Sequence, residues 1–222
     1  MSPLLRLLES SIGRKVVMAI TGLAMIGFLV MHLAGNLLIF VGAEAFNEYS
    51  HKLISNPLVY VAEAGLLALF VSHFLAGFSV TRQSRAARPV AYAMKRNAGH
   101  TSNKSVASTT MILSGLLLLV FVPLHLWTFK FGAWYETTSG PAMRDLHRLV
   151  LEIFRDPLHV AWYEVAMFVI AFHLWHGFGS AIETLGVGSR PTIRRIGRLV
   201  AVVVMGGFAA IPAAVLLGRV GP

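Results

Sequence analysis

Five long apolar stretches dominate the chain, and polar segments separate them. Each stretch holds about 20 residues or more, and an α-helix of that length crosses roughly 30 Å of hydrocarbon. The pattern predicts an all-α membrane protein, with residues 1–222 forming one transmembrane domain. The five predicted transmembrane helices cover about 16–41, 58–80, 109–129, 158–182 and 199–217.

Two of the connecting segments are amphipathic. Apolar residues recur at helical spacing in 43–55 and again in 142–155. A proline follows each segment, Pro57 and Pro157, at a point where a helix normally ends. We therefore predict two short helices that lie on the outer membrane surface.

Lysine and arginine are distributed unevenly along the chain. Most of the 19 lie before the first span, in the segment 81–107 and in the segment 187–198, which five successive spans place on one side. Because cytoplasmic loops carry the excess of Lys and Arg, we predict that the N-terminus is cytoplasmic. The formal net charge of +9 is then concentrated on the cytoplasmic face. This charge serves either as topology signal and lipid contact or as a docking surface for protein partners.

The composition narrows the chemistry further. The chain is 56% hydrophobic and only 13% charged, whereas a soluble domain of this size has more charge and shorter apolar runs. It contains no cysteine. Disulfides, thiolate catalysis and iron–sulfur ligation by cysteine are therefore excluded within this chain.

The second and fourth spans are related by an internal repeat. Pro57 precedes His73 by the same interval that separates Pro157 from His173, and both histidines begin the pattern His-x-x-x-Gly. Spans one and two thus form one copy of a unit and spans three and four a second copy, with the fifth span added. Repeats are common in membrane proteins, so this one alone says little about chemistry.

Each of the first four spans carries one histidine deep inside its apolar run. Counted from the cytoplasmic end, His32 and His125 lie about 24 Å deep, whereas His73 and His173 lie about 10–13 Å deep. Ionisable groups at such depth are costly and usually functional. A polar helix contact or a proton relay explains one such histidine, but explains four in matched layers poorly. The layers indicate two bis-histidine haem sites, an outer one with His32 and His125 and an inner one with His73 and His173.

Five short segments, none specific alone, occur in a recognisable order: SIGRK at 11–15, HLAGN at 32–36, EAFNEY at 44–49, GLLL at 115–118 and FHLWHG at 172–177. In their order and spacing they resemble the cytochrome b membrane-anchor subunits of succinate dehydrogenases and fumarate reductases. The resemblance is to the single-subunit type with two haems and five helices, and it spans most of the chain.

This resemblance implies two haems b with His32, His125, His73 and His173 as axial ligands of the iron. It also implies that a flavoprotein subunit and an iron–sulfur subunit dock on the cytoplasmic face, and that electrons pass to or from membrane menaquinone or ubiquinone. The chain would be the multi-pass subunit of such an enzyme in a bacterial cytoplasmic (inner) membrane. It would contact lipid, but bind neither dicarboxylate nor nucleic acid. His176 is expected beside the inner haem, with replacement of His173 as ligand the alternative.

Three further residues come out close in depth to the outer histidine pair. Glu63 and Glu164 are the acidic residues within the spans, and His159 lies near the outer end of the fourth span. Because quinone chemistry exchanges protons, these residues are candidates for an outer quinone-protonation site. The alternative for each carboxylate is a side chain that simply reaches up to the outer membrane interface.

Two other functions stay open from the sequence. One is the cytochrome b subunit of a hydrogenase or formate dehydrogenase, which the five spans and the single histidine per helix disfavour. The other is a proton-coupled membrane transporter that uses histidine and glutamate as proton relays. A reducible b-type absorption band would separate the transporter from the electron-transfer proteins.

Overall fold

The architecture is all-helical over the residues that the computed structural model describes, which are 10–87, 106–138, 140–188 and 191–221. Within this part, five helices are long and apolar enough to cross a membrane, which confirms the predicted fold class. In chain order the α-helices are α1 (Ser11–Asn36), α2 (Ala43–Ile54), α3 (Leu58–Ala86), α4 (Val106–Thr109), α5 (Met111–His125), α6 (Leu146–Phe154), α7 (Pro157–Thr184) and α8 (Pro191–Leu216). The membrane-length helices are α1, α3, α5, α7 and α8.

Local sequence determines where the membrane helices begin. The Ser10 side chain caps α1 by accepting a hydrogen bond from the backbone N–H of Gly13 at 2.9 Å. Asp156 caps α7 in the same way, accepting from the N–H of Leu158 at 3.1 Å. Pro157 follows this cap, at a position where the missing proline N–H costs no hydrogen bond.

Three membrane helices extend beyond their apolar stretches, and the first of them, α1, begins at Ser11, before the predicted start at residue 16. α3 continues to Ala86, past the predicted end at residue 80, and α8 begins at Pro191, before the predicted start at residue 199. The extensions of α3 and α8 are rich in arginine. Backbone hydrogen bonds continue a helix whatever side chains it carries, so hydropathy marks the apolar layer and not the helix end.

The second surface helix is shorter than the amphipathic pattern predicted. α6 begins at Leu146, because Asp145 caps it by accepting from the N–H of Arg148 at 3.0 Å. The residues before the cap are held in a different conformation, with Arg144 in an isolated antiparallel bridge to Glu136. Residues from 142 to 145 therefore belong to a connection and not to the helix.

α5 ends in a π-helical turn that the apolar pattern did not indicate. The turn, Leu126–Lys130, directly follows His125, and the N–H of Phe131 donates to the carbonyl of Leu126 at 3.0 Å. Such turns widen a helix locally and are frequent at functional sites. Here the turn ends with Lys130 in an ion pair with Glu63 of α3.

The buried core is centred on α7. This helix packs against α1, α5 and α8, and its Ala166, Ile170 and Leu174 are almost inaccessible. α8 packs along α7 and also touches α1, burying residues such as Ala201 and Met205. The fifth membrane helix is thus an integral part of the core and not an addition at its edge.

α3 is the most peripheral membrane helix. Ala76 is its buried residue, and apolar side chains such as Leu67 and Leu75 are more than half exposed. It packs mainly on α1 and only lightly on α5. A largely exposed apolar helix fits a lipid environment. Because α3 packs mainly on α1, His73 lies on a helix that is joined to the bundle chiefly through α1.

The two amphipathic helices α2 and α6 pack against each other, with Asn47 and a ring contact between Phe46 and His147 at their interface. Asn47, only 3% exposed, donates from Nδ2 to Asp145 Oδ1 at 2.8 Å. Its Oδ1 accepts from the backbone N–H of His147 at 2.9 Å. One side chain therefore satisfies both the capping residue and a free N–H in the first turn of α6.

We expect Asn47→Ala to destabilise the contact between α2 and α6 by roughly 2 kcal/mol, because it leaves buried polar groups without partners. The midpoint of thermal unfolding in detergent measures the effect. Asn56→Ala is the matched control, since the Asn56 side chain accepts from the N–H of Leu58 at an exposed position. Equal midpoints for the two variants would contradict the assigned role of Asn47.

Candidate functional site

Four histidines on four membrane helices face one another in two pairs. The inner pair is His73 of α3 and His173 of α7, whose ring centroids are 6.3 Å apart with 63° between the ring planes. The outer pair is His32 of α1 and His125 of α5, whose centroids are 5.9 Å apart with 88° between the planes. The structure thus brings together the same partners that the depths in the sequence suggested.

The spacing and number of the imidazoles restrict what they can bind. Two imidazoles on opposite sides of one metal, each bonded at roughly 2 Å, have centroids about 6 Å apart. Within the described residues, no group of three or more His, Asp and Glu side chains is placed to hold a bare metal ion. Two facing imidazoles alone suit an iron whose other positions are already filled, as in haem. The donor set therefore fits haem iron.

Hydrogen bonds at Nδ1 support this fit. A metal-ligating histidine usually engages its other ring nitrogen with an oxygen, which orients the ring. Nδ1 of His73 lies 3.0 Å from the carbonyl oxygen of Met18, and Nδ1 of His173 lies 2.9 Å from Ser114 Oγ. Nδ1 of His125 lies 3.2 Å from the Tyr163 hydroxyl. In these three imidazoles, Nε2 is left as the nitrogen available to a metal.

His32 differs from the other three histidines. Its Nδ1 lies 3.3 Å from the amide nitrogen of Asn36, one turn further along the same helix. That amide nitrogen donates to the His32 carbonyl at 2.8 Å. The orientation of His32 therefore depends on its own helix and on rings packed against it, Phe28 at 5.3 Å and Phe208 at 5.5 Å between centroids.

Aromatic side chains surround the outer pair on the α5 side as well. Phe121 stacks on His125, with 5.7 Å between the ring centroids. The ring centroid of Phe129, which follows His125 in the chain, lies 5.4 Å from that of His125. Tyr163 of α7 lies at 6.1 Å and is 7% exposed. An apolar aromatic wall of this kind excludes water from the outer pair.

The candidate acids and His159 lie in three different surroundings. Glu63 forms an ion pair with Lys130 across the interval between α3 and α5, with both side chains partly exposed. Glu164 is partly buried, and its Oε1 has no hydrogen-bond partner among the described residues. His159 instead lies in the first turn of α7, about half exposed, with Nδ1 2.5 Å from Asp156 Oδ2. The hydrogen bond from His159 lowers the pKa of Asp156.

His176 lies on α7, one helical turn beyond His173 towards the C-terminal end of that helix. It is partly buried. The adjacent Trp175 is covered by the guanidinium of Arg198 at 5.3 Å from the ring centroid. His176 is thus near the inner pair in the sequence of α7, and its role beside a haem stays a prediction.

Arginines of α8 also contact the end of α7 on this side. Arg194 donates to Glu183 Oε1 at 3.4 Å, and Arg14 of α1 donates to Ser79 Oγ of α3 at 2.5 Å. The predicted docking segment 81–107 falls largely outside the described residues. The predicted cytoplasmic orientation of this face stays an expectation.

Sequence reasoning did not identify the residues that hold the imidazoles: Met18, Thr21, Ser114, Tyr163 and Phe208. Two of them carry a signal in the sequence, since Thr21-Gly22 and Ser114-Gly115 precede His32 and His125 by equal intervals. The others are ordinary apolar or aromatic residues of membrane helices. Only the packing of helices distant in the chain makes them neighbours of the histidines.

Fold and site together define a class: a helical protein with five membrane-length helices and two facing histidine pairs between them. The chain is 26% identical over 179 residues to the succinate dehydrogenase cytochrome b558 subunit of Bacillus subtilis. The similar region covers 80% of this chain and 81% of that relative. It confirms the resemblance to the cytochrome b anchor subunits of succinate dehydrogenase. No family model and no solved structure matches the chain.

Proposed function

We propose that this protein is the di-haem b membrane anchor of a succinate:quinone oxidoreductase or a quinol:fumarate reductase. The observation that carries the proposal is the pair of facing imidazoles at each of two depths, at 6.3 and 5.9 Å between centroids. The name of the relative, a succinate dehydrogenase cytochrome b558 subunit, supports the same function. A single functional histidine, as in a proton relay of a transporter, would need no facing partner.

In this proposal, His73 and His173 hold the inner haem and His32 and His125 the outer one. Haem b, when bound, supplies a carrier of one electron at a time. The remaining contributions are those of the chain. Met18, Ser114 and Tyr163 orient imidazoles, and the aromatic side chains around the outer pair keep water away. The chain carries out no dicarboxylate chemistry.

A flavoprotein subunit and an iron–sulfur subunit dock, in this proposal, on the face where α8 begins. The arginines of this region, together with those of 81–107, give the face a strong positive charge. The inner histidine pair is the nearer of the two pairs to this face. Electrons enter or leave the membrane there, and lipid surrounds the rest of the bundle in a bacterial cytoplasmic membrane.

The membrane quinone, menaquinone or ubiquinone, is proposed to exchange protons near the outer pair. Glu164 supports this placement, because a carboxyl oxygen without a hydrogen-bond partner is available to a ligand. Glu63 and Lys130 place a second carboxylate at the outer end of α3. His159, engaged with Asp156 at the surface, is the most exposed of the three candidates.

The test is the composition of the complex purified through a tag on this chain. We expect two equivalents of haem b per chain, a co-purifying flavoprotein and iron–sulfur protein, and quinone-dependent oxidation of succinate or reduction of fumarate. Crosslinks to these partners should lie on the segments 81–107 and 187–198. Co-purification of a hydrogenase or formate dehydrogenase would favour that alternative, and a complex without haem would refute the proposal.

A further inference from the structure

Two buried hydroxyl groups contact the inner imidazoles from neighbouring helices. Thr21 of α1 places Oγ1 3.2 Å from Nδ1 of His73 on α3. Ser114 of α5 places Oγ 2.9 Å from Nδ1 of His173 on α7. The residues are 7% and 3% exposed, although hydroxyl side chains are mostly found at protein surfaces. Each hydroxyl therefore needs a hydrogen-bonding reason to be inside the bundle.

The backbone fixes the direction of both contacts. The Thr21 hydroxyl donates to the carbonyl of Val17 at 2.7 Å, and the Ser114 hydroxyl donates to the carbonyl of Met111 at 3.0 Å. A hydroxyl has a single hydrogen, so each oxygen is left to accept from the imidazole. Nδ1 must then carry the hydrogen, and Nε2 keeps the lone pair that a metal requires.

A glycine follows each hydroxyl residue, and at Gly22 its missing side chain leaves space for the imidazole. A Cβ added at Gly22 would lie 3.0 Å from Cε1 of His73, which is too close without a shift. A Cβ added at Gly115 would lie 3.9 Å from Cε1 of His173, an ordinary contact distance. The two pairs share one design, but the fit at Gly22 is the tighter.

The two pairs also occupy equivalent positions in the internal repeat. Thr21 precedes His32 by the interval that separates Ser114 from His125, and His73 and His173 are equally far from Pro57 and Pro157. In each copy, the first membrane helix therefore holds the histidine of the second. The same contact arises twice from different residues, which argues against a chance hydrogen bond.

We propose that Thr21 and Ser114 are two clamps that set the tautomer and ring plane of the inner-pair histidines, with Gly22 leaving the space that the His73 ring occupies. They act as positioning residues: Ser114 accepts the Nδ1 hydrogen of His173, and Thr21 shares the Nδ1 hydrogen of His73 with the Met18 carbonyl. The inference rests on the proposed function, because it gives the clamps a role towards an inner haem. The two hydroxyl residues would influence the properties of that haem without themselves binding the iron.

The test is the visible and electron paramagnetic resonance spectra, with a potentiometric titration, of Ser114→Ala and Thr21→Val in the complete complex. We expect both haems to remain bound, the low-spin ferric signal of the inner haem to move, and its potential to rise. The potential rises because an imidazole that loses a hydrogen-bond acceptor becomes a weaker electron donor to the iron. Ser114→Ala should have the larger effect, since His73 keeps the Met18 carbonyl.

Conservative and matched variants separate positioning from general damage. Ser114→Thr and Thr21→Ser retain the hydroxyl and should give wild-type spectra. Thr81→Val is the control, because Thr81 also donates to a carbonyl one turn away, that of Gly77 at 2.8 Å, on the same helix as His73. Spectra of Ser114→Ala and Thr21→Val that equal those of wild type, or of Thr81→Val that shift as far, would overturn the clamps.

The glycines give an independent second arm. Gly22→Ala should shift the inner-haem signal or reduce its occupancy, whereas Gly115→Ala should leave it unchanged, because only Gly22 lacks room for a Cβ. Equal behaviour of the two variants would contradict the tighter fit of the imidazole at Gly22. Wild-type protein with fewer than two haems would refute the proposed function itself. Two haems that are insensitive to every clamp variant would refute the clamps alone.

Discussion

Replacing His173 by alanine is expected to halve the haem b content of the complex and to leave the second haem bound. Each pair consists of two imidazoles, so removing one would leave the haem proposed at that site with a single histidine to hold it. Reduced-minus-oxidised spectra quantify the haem, and potentiometric titration identifies which of the two components is lost. His125→Ala should produce the same halving but remove the other component.

The pairing predicts more than the loss of one haem, because it also determines which variants should give the same spectrum. His73→Ala should reproduce the spectrum of His173→Ala, and His32→Ala should reproduce that of His125→Ala. Any other grouping, such as His32 with His73, would contradict the layers. His51→Ala, on the surface helix α2, is the control and should retain both haems.

His176 provides an internal check on the inner ligand. His176→Ala should perturb the inner haem without removing it, because His173 and not His176 faces His73 across the bundle. Retention of the inner haem in His173→Ala, together with its loss in His176→Ala, would identify His176 as the ligand in place of His173.

Much of the fold follows from the sequence because a membrane restricts the solutions. A run of about 20 apolar residues can cross hydrocarbon only as a helix, since each backbone polar group must be satisfied within the segment. Depth along a helix converts directly into height in the bilayer, which is why counting residues paired His32 with His125 and His73 with His173. No contact information was needed for either inference.

The contacts that hold the histidines could not be predicted in this way. Tyr163 reaches His125 because α7 packs against α5. The rotation of one helix relative to another cannot be predicted from hydropathy. Phe208 reaches His32 because α8 lies close against α1, where a Cβ on Gly207 would come within 2.8 Å of Leu33. The sequence assigned α8 no place in the site for the same reason.

The end of α5 could not be predicted from the sequence for a related reason. The π turn after His125 includes a wide hydrogen bond, from the N–H of Phe131 to the carbonyl of Leu126, that no residue pattern indicates. It determines where Lys130 lies, and hence the partner of Glu63. The depth of Glu63 was visible in the sequence, but its ion pair was not.

Replacing Glu63 or Glu164 by glutamine is expected to slow quinone-linked turnover by about tenfold or more while leaving both haems bound. Glutamine keeps the size of the side chain and most of its hydrogen bonding, but cannot exchange a proton. Dicarboxylate turnover with a soluble artificial acceptor bypasses the quinone and should stay normal. Glu48→Gln is the matched control for Glu63→Gln, since Glu48 also pairs with a lysine, Lys52 at 2.9 Å, but on the surface helix α2.

The side of the membrane on which the protons are exchanged gives this prediction its second readout. An electron that reaches the outer pair has crossed most of the hydrocarbon, so each turnover with outer protons moves charge across the membrane. The membrane potential then contributes about 2.3 kcal/mol per charge per 100 mV to the reaction. Turnover in sealed vesicles should therefore respond to an uncoupler, and the response should be lost together with activity in the Glu63→Gln, Glu164→Gln double variant. Full quinone activity in that variant would reject an outer acid-assisted site and favour one near His176, at the opposite end of α7.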